Sequence, residues 1–212
     1  MAMRLAPEEP EAGPWRVERL AVVIEALTQL GAAGPGTARP VILAVDGRSN
    51  SGKTTLAARI GDAVAASAVV HTDDIAWGHS RFGWADLLID GILTPLHQGG
   101  AVAFRPPGWS GRGRAGCILV PAGCPLLVVE GVGAGRKEAA HLIDALIWVQ
   151  SDEGEAERRS LALVGKPGKS PTSWHAQEWM AGERPFVAAD RAWERADIVI
   201  SGAPGVSYDP IT

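Results

Sequence analysis

The sequence predicts an α/β fold in which a mainly parallel five-stranded sheet is flanked by helices. Three observations favour this class. Short apolar runs rich in β-branched residues recur along the chain, as expected of strands that are buried on both faces. Segments with helical spacing of apolar residues separate these runs, which is typical of βαβ units. The length of 212 residues suits one such domain.

The strands and helices can be placed approximately from these patterns. Strands are expected at 41–46, 67–71, 101–104, 125–131, 145–150 and 196–202, of which 101–104 is short. Helices are expected at 14–30, 82–98, 152–164 and 173–194. One more helix is expected directly after the turn that follows the first strand. Residues 105–116 hold too many Gly, Pro and Arg residues for regular structure, and Pro185 is expected to break the last helix.

The chain is predicted to consist of three segments. Residues 1–13 are acidic and interrupted by proline, so they predict a disordered lead. Residues 14–40 comprise a helix and a linker, and this helix is expected either to cover the sheet or to mediate a homodimer. The main domain is 41–212, with a helical lid at about 152–185.

Composition excludes several classes of protein. Twenty Lys and Arg residues against 24 Asp and Glu residues give a net charge of -4, which offers no basic excess for nucleic acid or an anionic membrane. Two cysteines are too few for a disulfide-rich scaffold. No apolar stretch approaches the roughly 18 residues of a membrane span, and the first residues lack the apolar run of a signal peptide. We therefore expect a cytoplasmic protein.

The strongest motif lies between the first strand and the next helix. Residues 47–54 read GRSNSGKT and match G-x-x-x-x-G-K-[ST]. Backbone N–H groups of such a loop converge on an anion, and the following helix adds its positive N-terminal end. The predicted nucleotide-binding residues are Gly47, Arg48, Ser49, Asn50, Ser51, Gly52, Lys53, Thr54 and Thr55. Lys53 is expected to reach the β- and γ-phosphates of ATP and act in catalysis, and Thr54 to bind Mg²⁺.

The motif predicts the three-layer P-loop NTPase fold, and other features narrow the class. The only asparagine, Asn50, lies inside the loop, so the N-K-x-D guanine motif of GTPases is excluded. The LSGGQ loop of transport ATPases is missing, and the strand 125–131 carries Glu130 where their strand would end in Asp. A small kinase is the simplest interpretation.

Acidic residues follow two of the predicted strands. Asp73 and Asp74 come after 67–71, and Glu130 lies at the end of 125–131. In open α/β sheets, ligands bind beyond the carboxyl ends of the strands, which is where these residues are expected to lie. Phosphoryl transfer needs one carboxylate near the acceptor hydroxyl and another near Mg²⁺, so we assign Asp73 to the first and Glu130 to the second. Asp74 can instead cap a helix.

The acceptor side is predicted from aromatic and basic residues. The candidate substrate-binding residues are Asp73, Asp74, Trp77, Trp84, Arg105 and Trp109. Indole faces stack on planar rings and guanidinium groups bind anions, so an aromatic or anionic acceptor is indicated, with simple packing as the alternative. The late tryptophans, Trp179 among them, and all five histidines are expected to be structural.

These segments resemble the uridine kinase family of P-loop nucleoside kinases, which is related to phosphoribulokinase. VILAVDGRSNSGKTTLA is similar to its first strand and phosphate loop, HTDDIAW to its catalytic-Asp segment, PLLVVEG to its Glu-Gly strand and WERADIVISG to its closing strand. The likeness covers about 40–202 and implies that Asp73 is catalytic and that Glu130 lies near Mg²⁺.

The chain departs from the family at the acceptor site and the lid. Residues 75–77 read Ile-Ala-Trp where the family has Phe-Tyr, and the hairpin that grips the nucleoside is not recognisable. Arg158 and Arg159 are the predicted catalytic lid cations, but a second Arg-Asp is lacking. Candidates for the missing charge are Lys166, Lys169 and Arg184.

Three functions remain open from the sequence. The first is an ATP- and Mg²⁺-dependent kinase acting on a hydroxyl of a small molecule, with nucleosides as the favoured class. The second keeps the scaffold but takes a sugar, cyclitol or antibiotic hydroxyl. The third is a non-catalytic module that binds ATP and regulates another process.

Overall fold

The structure, a computed structural model, describes residues 3–30, 39–166 and 172–202. Its strands are β1 Val41–Gly47, β2 Ala68–His71, β3 Val102–Phe104, β4 Ile118–Val120, β5 Leu126–Glu130, β6 Ala145–Gln150 and β7 Ile198–Ser201. Five of them form a parallel sheet in the order β2-β5-β1-β6-β7. The other two, β3 and β4, form a separate antiparallel pair.

Helices connect these strands. They are α1 Leu20–Leu30, α2 Lys53–Ala63, α3 Thr72–Ala76, α4 Ala85–Leu88, α5 Thr94–His97, α6 Pro107–Gly111, α7 Glu153–Ala162 and α8 Ser173–Asp190. A π-helical turn, Ile89–Leu93, joins α4 to α5, and two 3₁₀ turns occur at Lys137–Leu142 and Ala192–Glu194.

The central strand β1 shows why the sheet lies between two layers. Alternate side chains of a strand point to opposite faces. Ile42 and Ala44 belong to one buried cluster, whereas Leu43 and Val45 belong to another. Because β1 pairs with β5 on one side and β6 on the other, it is enclosed on both faces and both edges. The predicted three-layer fold with a parallel five-stranded sheet is confirmed.

Helix α1 covers one face of the sheet. Leu27 is buried in the same cluster as Leu43, and Val23 and Ile24 pack against that cluster. The first of the two roles expected for this helix is therefore observed, and a homodimer stays a prediction. The helix begins at Leu20 rather than at residue 14.

The segment 3–13 departs from the disordered lead expected over 1–13. The Glu9 carboxylate is buried and accepts hydrogen bonds from Arg48 Nη2 at 2.7 Å, Trp148 Nε1 at 2.8 Å and Gln150 Nε2 at 2.9 Å. The acidic composition suggested solvation, but this carboxylate has a buried cationic partner instead. We call residues 3–13 the N-terminal strap.

Other local expectations also differ from the structure. Helix α8 continues through Pro185, because buried Ala176 and Val187 anchor it on both sides of that residue. The Gly-rich stretch 105–116 contains the short helix α6, and β4 was not predicted. No helix in the described ranges is both long and apolar enough to cross a bilayer.

Candidate functional site

The predicted phosphate loop connects the end of β1 to the start of α2. Gly47 has φ +147°, and a Cβ there would lie 2.5 Å from the carbonyl oxygen of Val149, so only glycine fits. Gly52 has φ +105° and immediately precedes α2, where a Cβ would meet no atom within 4 Å. Gly52 and the first residues of α2, Lys53 and Thr54, border open space at the start of this helix, as an anion site requires.

Lys53 lies at the base of this loop. Its side chain is buried, and Nζ donates a hydrogen bond to the carbonyl oxygen of Arg48 at 2.6 Å. The ammonium group is therefore held inside the loop rather than extended into solvent. From this position it contributes positive charge where phosphate groups would bind.

Thr54 and Glu130 form the second part of the site. The Thr54 hydroxyl donates to Glu130 Oε1 at 2.9 Å, and His71 Nδ1 lies 2.6 Å from Glu130 Oε2. Burial opposes ionisation of Glu130, but the His71 contact, the Lys53 charge and the Thr54 hydroxyl together lower its pKa below the ordinary value. The same contact with Glu130 raises the pKa of His71. Glu130 is thus an ionised carboxylate beside the loop.

These oxygen atoms fit a magnesium ion that arrives with a nucleotide. Mg²⁺ usually takes one or two protein oxygens and completes its shell with phosphates and water. Thr54 Oγ1 and Glu130 Oε1 offer such a pair. Within the described part of the chain, no three His, Cys, Asp or Glu side chains gather to hold a metal by themselves. The donor set therefore suits a phosphate-bound metal rather than a cage made by protein alone.

Asp46 fixes the loop from behind. Its buried carboxylate accepts N–H bonds from Gly47 at 2.6 Å, Gly133 at 2.9 Å and Gly135 at 2.9 Å. Burial raises the pKa of Asp46 to about 6, although the three N–H bonds and Lys53 oppose the shift. Asp46 therefore ties the phosphate loop to the turn after β5. This role of Asp46 was not predicted from the sequence, where only its place before Gly47 pointed to the loop.

A cavity of about 850 Å³ lies in front of the phosphate loop. The predicted site residues that line it are Ser49, Asn50, Gly52, Lys53, Thr54, Thr55, Asp73, Trp77, Glu130 and Arg159. Asp73 lies in the first turn of α3, directly after β2, as expected from the strand-end argument. Gly47, Arg48 and Ser51 belong to the loop without lining the cavity. The structure thus brings the proposed phosphate, metal and acceptor residues together.

Two of the predicted substrate-binding tryptophans lie outside this cavity. Trp84 is only 1% exposed and belongs to the core, where Arg136 stacks on its ring at 4.6 Å. Trp109 is also buried, and its indole N–H donates to the Asp74 carbonyl at 2.8 Å. Both placements correct the prediction, because the indole rings fill the interior instead of facing the cleft. Trp77, at 38% exposure, does line the cavity.

Asp74 and Arg105 likewise make contacts within the protein, both with Arg114. The Asp74 carboxylate pairs with Arg114 at 2.7 Å, and Arg105 donates to the Arg114 carbonyl at 2.8 Å. Neither lines the cavity, so their predicted contact with substrate is not supported by their positions. Arg114 also stacks on the Trp109 ring at 3.7 Å. This network holds the 105–116 stretch against α3.

The two predicted lid arginines have different surroundings. Arg159 lines the cavity and donates to the carbonyls of Asn50 at 3.2 Å and Gly202 at 3.1 Å. Arg158 is 74% exposed, pairs with Glu155 and does not line the cavity. Neighbouring residues of a helix point about 100° apart, which explains the difference.

The residues proposed to replace the missing lid charge do not reach the cavity in the described ranges. Lys166 is exposed, and Arg184 pairs with Glu153 at 2.5 Å. Lys169 lies outside the described residues. A different arginine, Arg81, lines the cavity and pairs with Glu178. It was not predicted from the sequence.

Helix α8 supplies two further residues that the sequence did not assign to the site. Trp179, which was expected to pack, lines the cavity and donates its indole N–H to Ser49 Oγ at 3.1 Å. Glu183 accepts the Ser49 N–H at 2.8 Å and also the Ser49 hydroxyl. Their four-residue spacing, which places both on one helix face, is the signal that could have linked them.

Comparison with known proteins identifies the fold. No protein-family model matches this sequence, and no curated protein sequence matches it. A solved structure described as a possible uridine kinase from Bacillus stearothermophilus has a TM-score of 0.52 and 18% identity, covering 85% of this chain and 96% of that chain. A candidate fructose transport system kinase from Silicibacter sp. TM1040 has a TM-score of 0.61 and 19% identity, covering 86% and 99%. This chain has the fold of the P-loop kinases. The P-loop kinase fold expected from the sequence is confirmed, and at these identities the likeness concerns the fold.

Proposed function

We propose that this P-loop kinase fold belongs to an ATP-dependent enzyme that transfers the γ-phosphate to a hydroxyl of a small molecule. One observation carries the proposal: Lys53, the Thr54–Glu130 pair and Asp73 line the same cavity. Its volume of about 850 Å³ falls in the range of ligand-binding clefts. The kinase fold of the neighbouring structures supports the same reaction class.

Each residue has a defined task in this proposal. Lys53 exchanges its bond to the Arg48 carbonyl for the β- and γ-phosphates, which also accept loop N–H bonds. Asp73 accepts the proton of the acceptor hydroxyl as the hydroxyl oxygen bonds to the γ-phosphorus, and the bond from that phosphorus to the bridging β-phosphate oxygen breaks so that ADP leaves. Thr54 and Glu130 would hold Mg²⁺, which would neutralise charge on the phosphate oxygens. Arg159 adds positive charge from the lid.

Nucleosides are the first acceptor class of this proposal, and sugars are the second. Trp77 offers a partly exposed indole face in the cavity, and such a face stacks on planar bases. Two observations favour the sugar alternative. The hairpin with which the uridine kinase family grips the nucleoside is not recognisable in the sequence, and the candidate fructose transport system kinase has a TM-score of 0.61 with this fold. Cyclitol and antibiotic hydroxyls belong to the same test panel.

Replacement of Asp73 tests the proposed base. In Asp73→Asn the side chain keeps its size but no longer accepts the proton, so kcat is expected to fall by roughly 10²–10⁴-fold. Affinity for ATP should change little, because the phosphate loop is intact. Steady-state kinetics with the best acceptor and calorimetry with a non-hydrolysable ATP analogue give the two numbers.

Asp74→Asn is the matched control, because the neighbouring carboxylate pairs with Arg114 outside the cavity. This variant is expected to keep most of the kcat. Equal losses in both variants, or full activity in Asp73→Asn, would contradict the assignment. A wild-type protein that is stabilised by ATP but phosphorylates no acceptor would favour the regulatory module instead.

A further inference from the structure

Helix α8 places a carboxylate directly on the phosphate loop. Glu183 is 5% exposed, and its two oxygens accept the N–H and the hydroxyl of Ser49. One turn earlier, Trp179 donates its indole N–H to Ser49 Oγ at 3.1 Å. Ser49 is therefore the residue through which α8 is attached to the loop.

Glu183 is a buried carboxyl side chain, and among the described residues it has no cationic partner. Two arginines of α7 and α8 have other partners, because Arg184 pairs with Glu153 and Arg159 pairs with Glu155. A buried carboxylate in this condition depends entirely on hydrogen-bond donors. Here those donors belong to Ser49, whose loop is built to give its N–H groups to phosphate. Glu183 thus takes the place of an anionic ligand.

Glu183 occupies a hydrogen-bond donor of the phosphate loop that borders the cavity. Ser49 is the third residue of the motif and lines the cavity in front of the loop. Its N–H can serve only one strong acceptor, and a second anion close to the carboxylate would be repelled. We propose that Glu183 occupies a phosphate position of the nucleotide-free loop, and that a phosphate group of ATP displaces it and detaches α8 from Ser49. This inference rests on the proposed function, since it requires ATP to bind at the loop.

The proposal makes Glu183 a determinant of ATP affinity. The wild-type protein must break the Ser49 contacts before the phosphate binds, and this requirement weakens binding. Loss of the carboxylate removes the competitor and the repulsion, so affinity should rise rather than fall. A residue that merely supports a productive loop would have the opposite effect.

Calorimetry of a non-hydrolysable ATP analogue with Mg²⁺ tests this directly. Glu183→Gln and Glu183→Ala are each expected to bind the analogue about tenfold more tightly than the wild type, because one charged hydrogen-bonded contact no longer competes. Glu157→Gln is the control, since Glu157 lies on α7 outside the cavity and contacts Arg184. Unchanged or weaker binding in both Glu183 variants would overturn the proposal.

Tryptophan fluorescence gives an independent readout of α8. Binding of the analogue should change the wild-type emission, because Trp179 loses its hydrogen bond to Ser49. Trp77 also lines the cavity, so every protein in this comparison carries Trp77→Phe. On that background the change should disappear when Trp179→Phe is added and persist when Trp174→Phe is added, which alters an exposed indole on the same helix. A change of undiminished size after Trp179 is replaced would mean that the emission of Trp179 does not respond to binding, and would overturn the proposal. If neither the wild type nor any variant binds the analogue, the proposed function itself fails.

Discussion

Buried carboxylates surround the phosphate loop at the scale of single residues. Asp46 accepts three backbone N–H groups, Glu130 contacts Thr54 and His71, and Glu183 contacts Ser49. A carboxylate removed from water is tolerated only where donors satisfy it. Two N–H groups of the loop, those of Gly47 and Ser49, are thus satisfied by the protein's own carboxylates.

Asp46 gives a prediction about pH. Its pKa is raised to about 6 in the folded protein, above the ordinary value, so the folded state keeps the proton longer than the unfolded chain. The stability contributed by Asp46 is therefore present below about pH 4 and is lost as the pH rises through about 6. The loss is on the order of 3 kcal/mol.

The comparison of wild type with Asp46→Asn isolates this group. Urea unfolding at pH 4.5 and pH 7 should show that the stability advantage of the wild type over the variant shrinks at the higher pH. Other titrating groups contribute equally to both proteins. An advantage that grows with pH would mean that the loop N–H bonds favour the ionised carboxylate more than burial opposes it.

The N-terminal strap is the clearest finding at the scale of elements. Its Glu9 reaches into the interior and pairs with Arg48, whose side chain is itself only 5% exposed. Through this pair the strap supports the second residue of the phosphate loop. Composition alone did not reveal this, because the partners are 39 positions apart and only folding brings them together.

Loss of the Glu9 carboxylate should destabilise the protein strongly. In Glu9→Ala the buried Arg48 guanidinium loses its anion, and the free energy of unfolding is expected to fall by about 3–5 kcal/mol. Glu8→Ala is the control: Glu8 is exposed and pairs with Arg191 at 3.0 Å, so its loss should cost less than about 1 kcal/mol. Equal effects in chemical unfolding would argue against a structural strap.

Features with local causes were predictable from the sequence. The strands β1, β5 and β6 are continuous apolar runs, and the motif at 47–54 specifies its own backbone. Asp73 and Glu130 could be placed because parallel strands end at one edge of the sheet. The contacts of α8 with Ser49 depend on tertiary packing of a distant helix, and no local pattern encodes them.

The topology of the whole molecule assembles the site. The order β2-β5-β1 places the residues after each strand side by side, so Asp73, Glu130 and the phosphate loop face one cavity.

Two tryptophans could not be distinguished from the sequence. Trp77 and Trp84 lie seven positions apart and were both predicted to bind substrate, yet Trp77 lines the cavity and Trp84 lies in the core. Tertiary packing decides between them, because the Trp84 ring is buried under Arg136, whose guanidinium lies 4.6 Å from its centre.

Phosphorus NMR of the wild type with ATP, Mg²⁺ and a panel of nucleosides, sugars and cyclitols tests the central claim most directly. The account predicts that one class of acceptor gains a phosphomonoester signal while ADP appears in equal amount. Lys53→Ala should abolish both signals, because the triphosphate is no longer held. ATP that remains intact, or that is only hydrolysed to inorganic phosphate with every acceptor, would contradict the account.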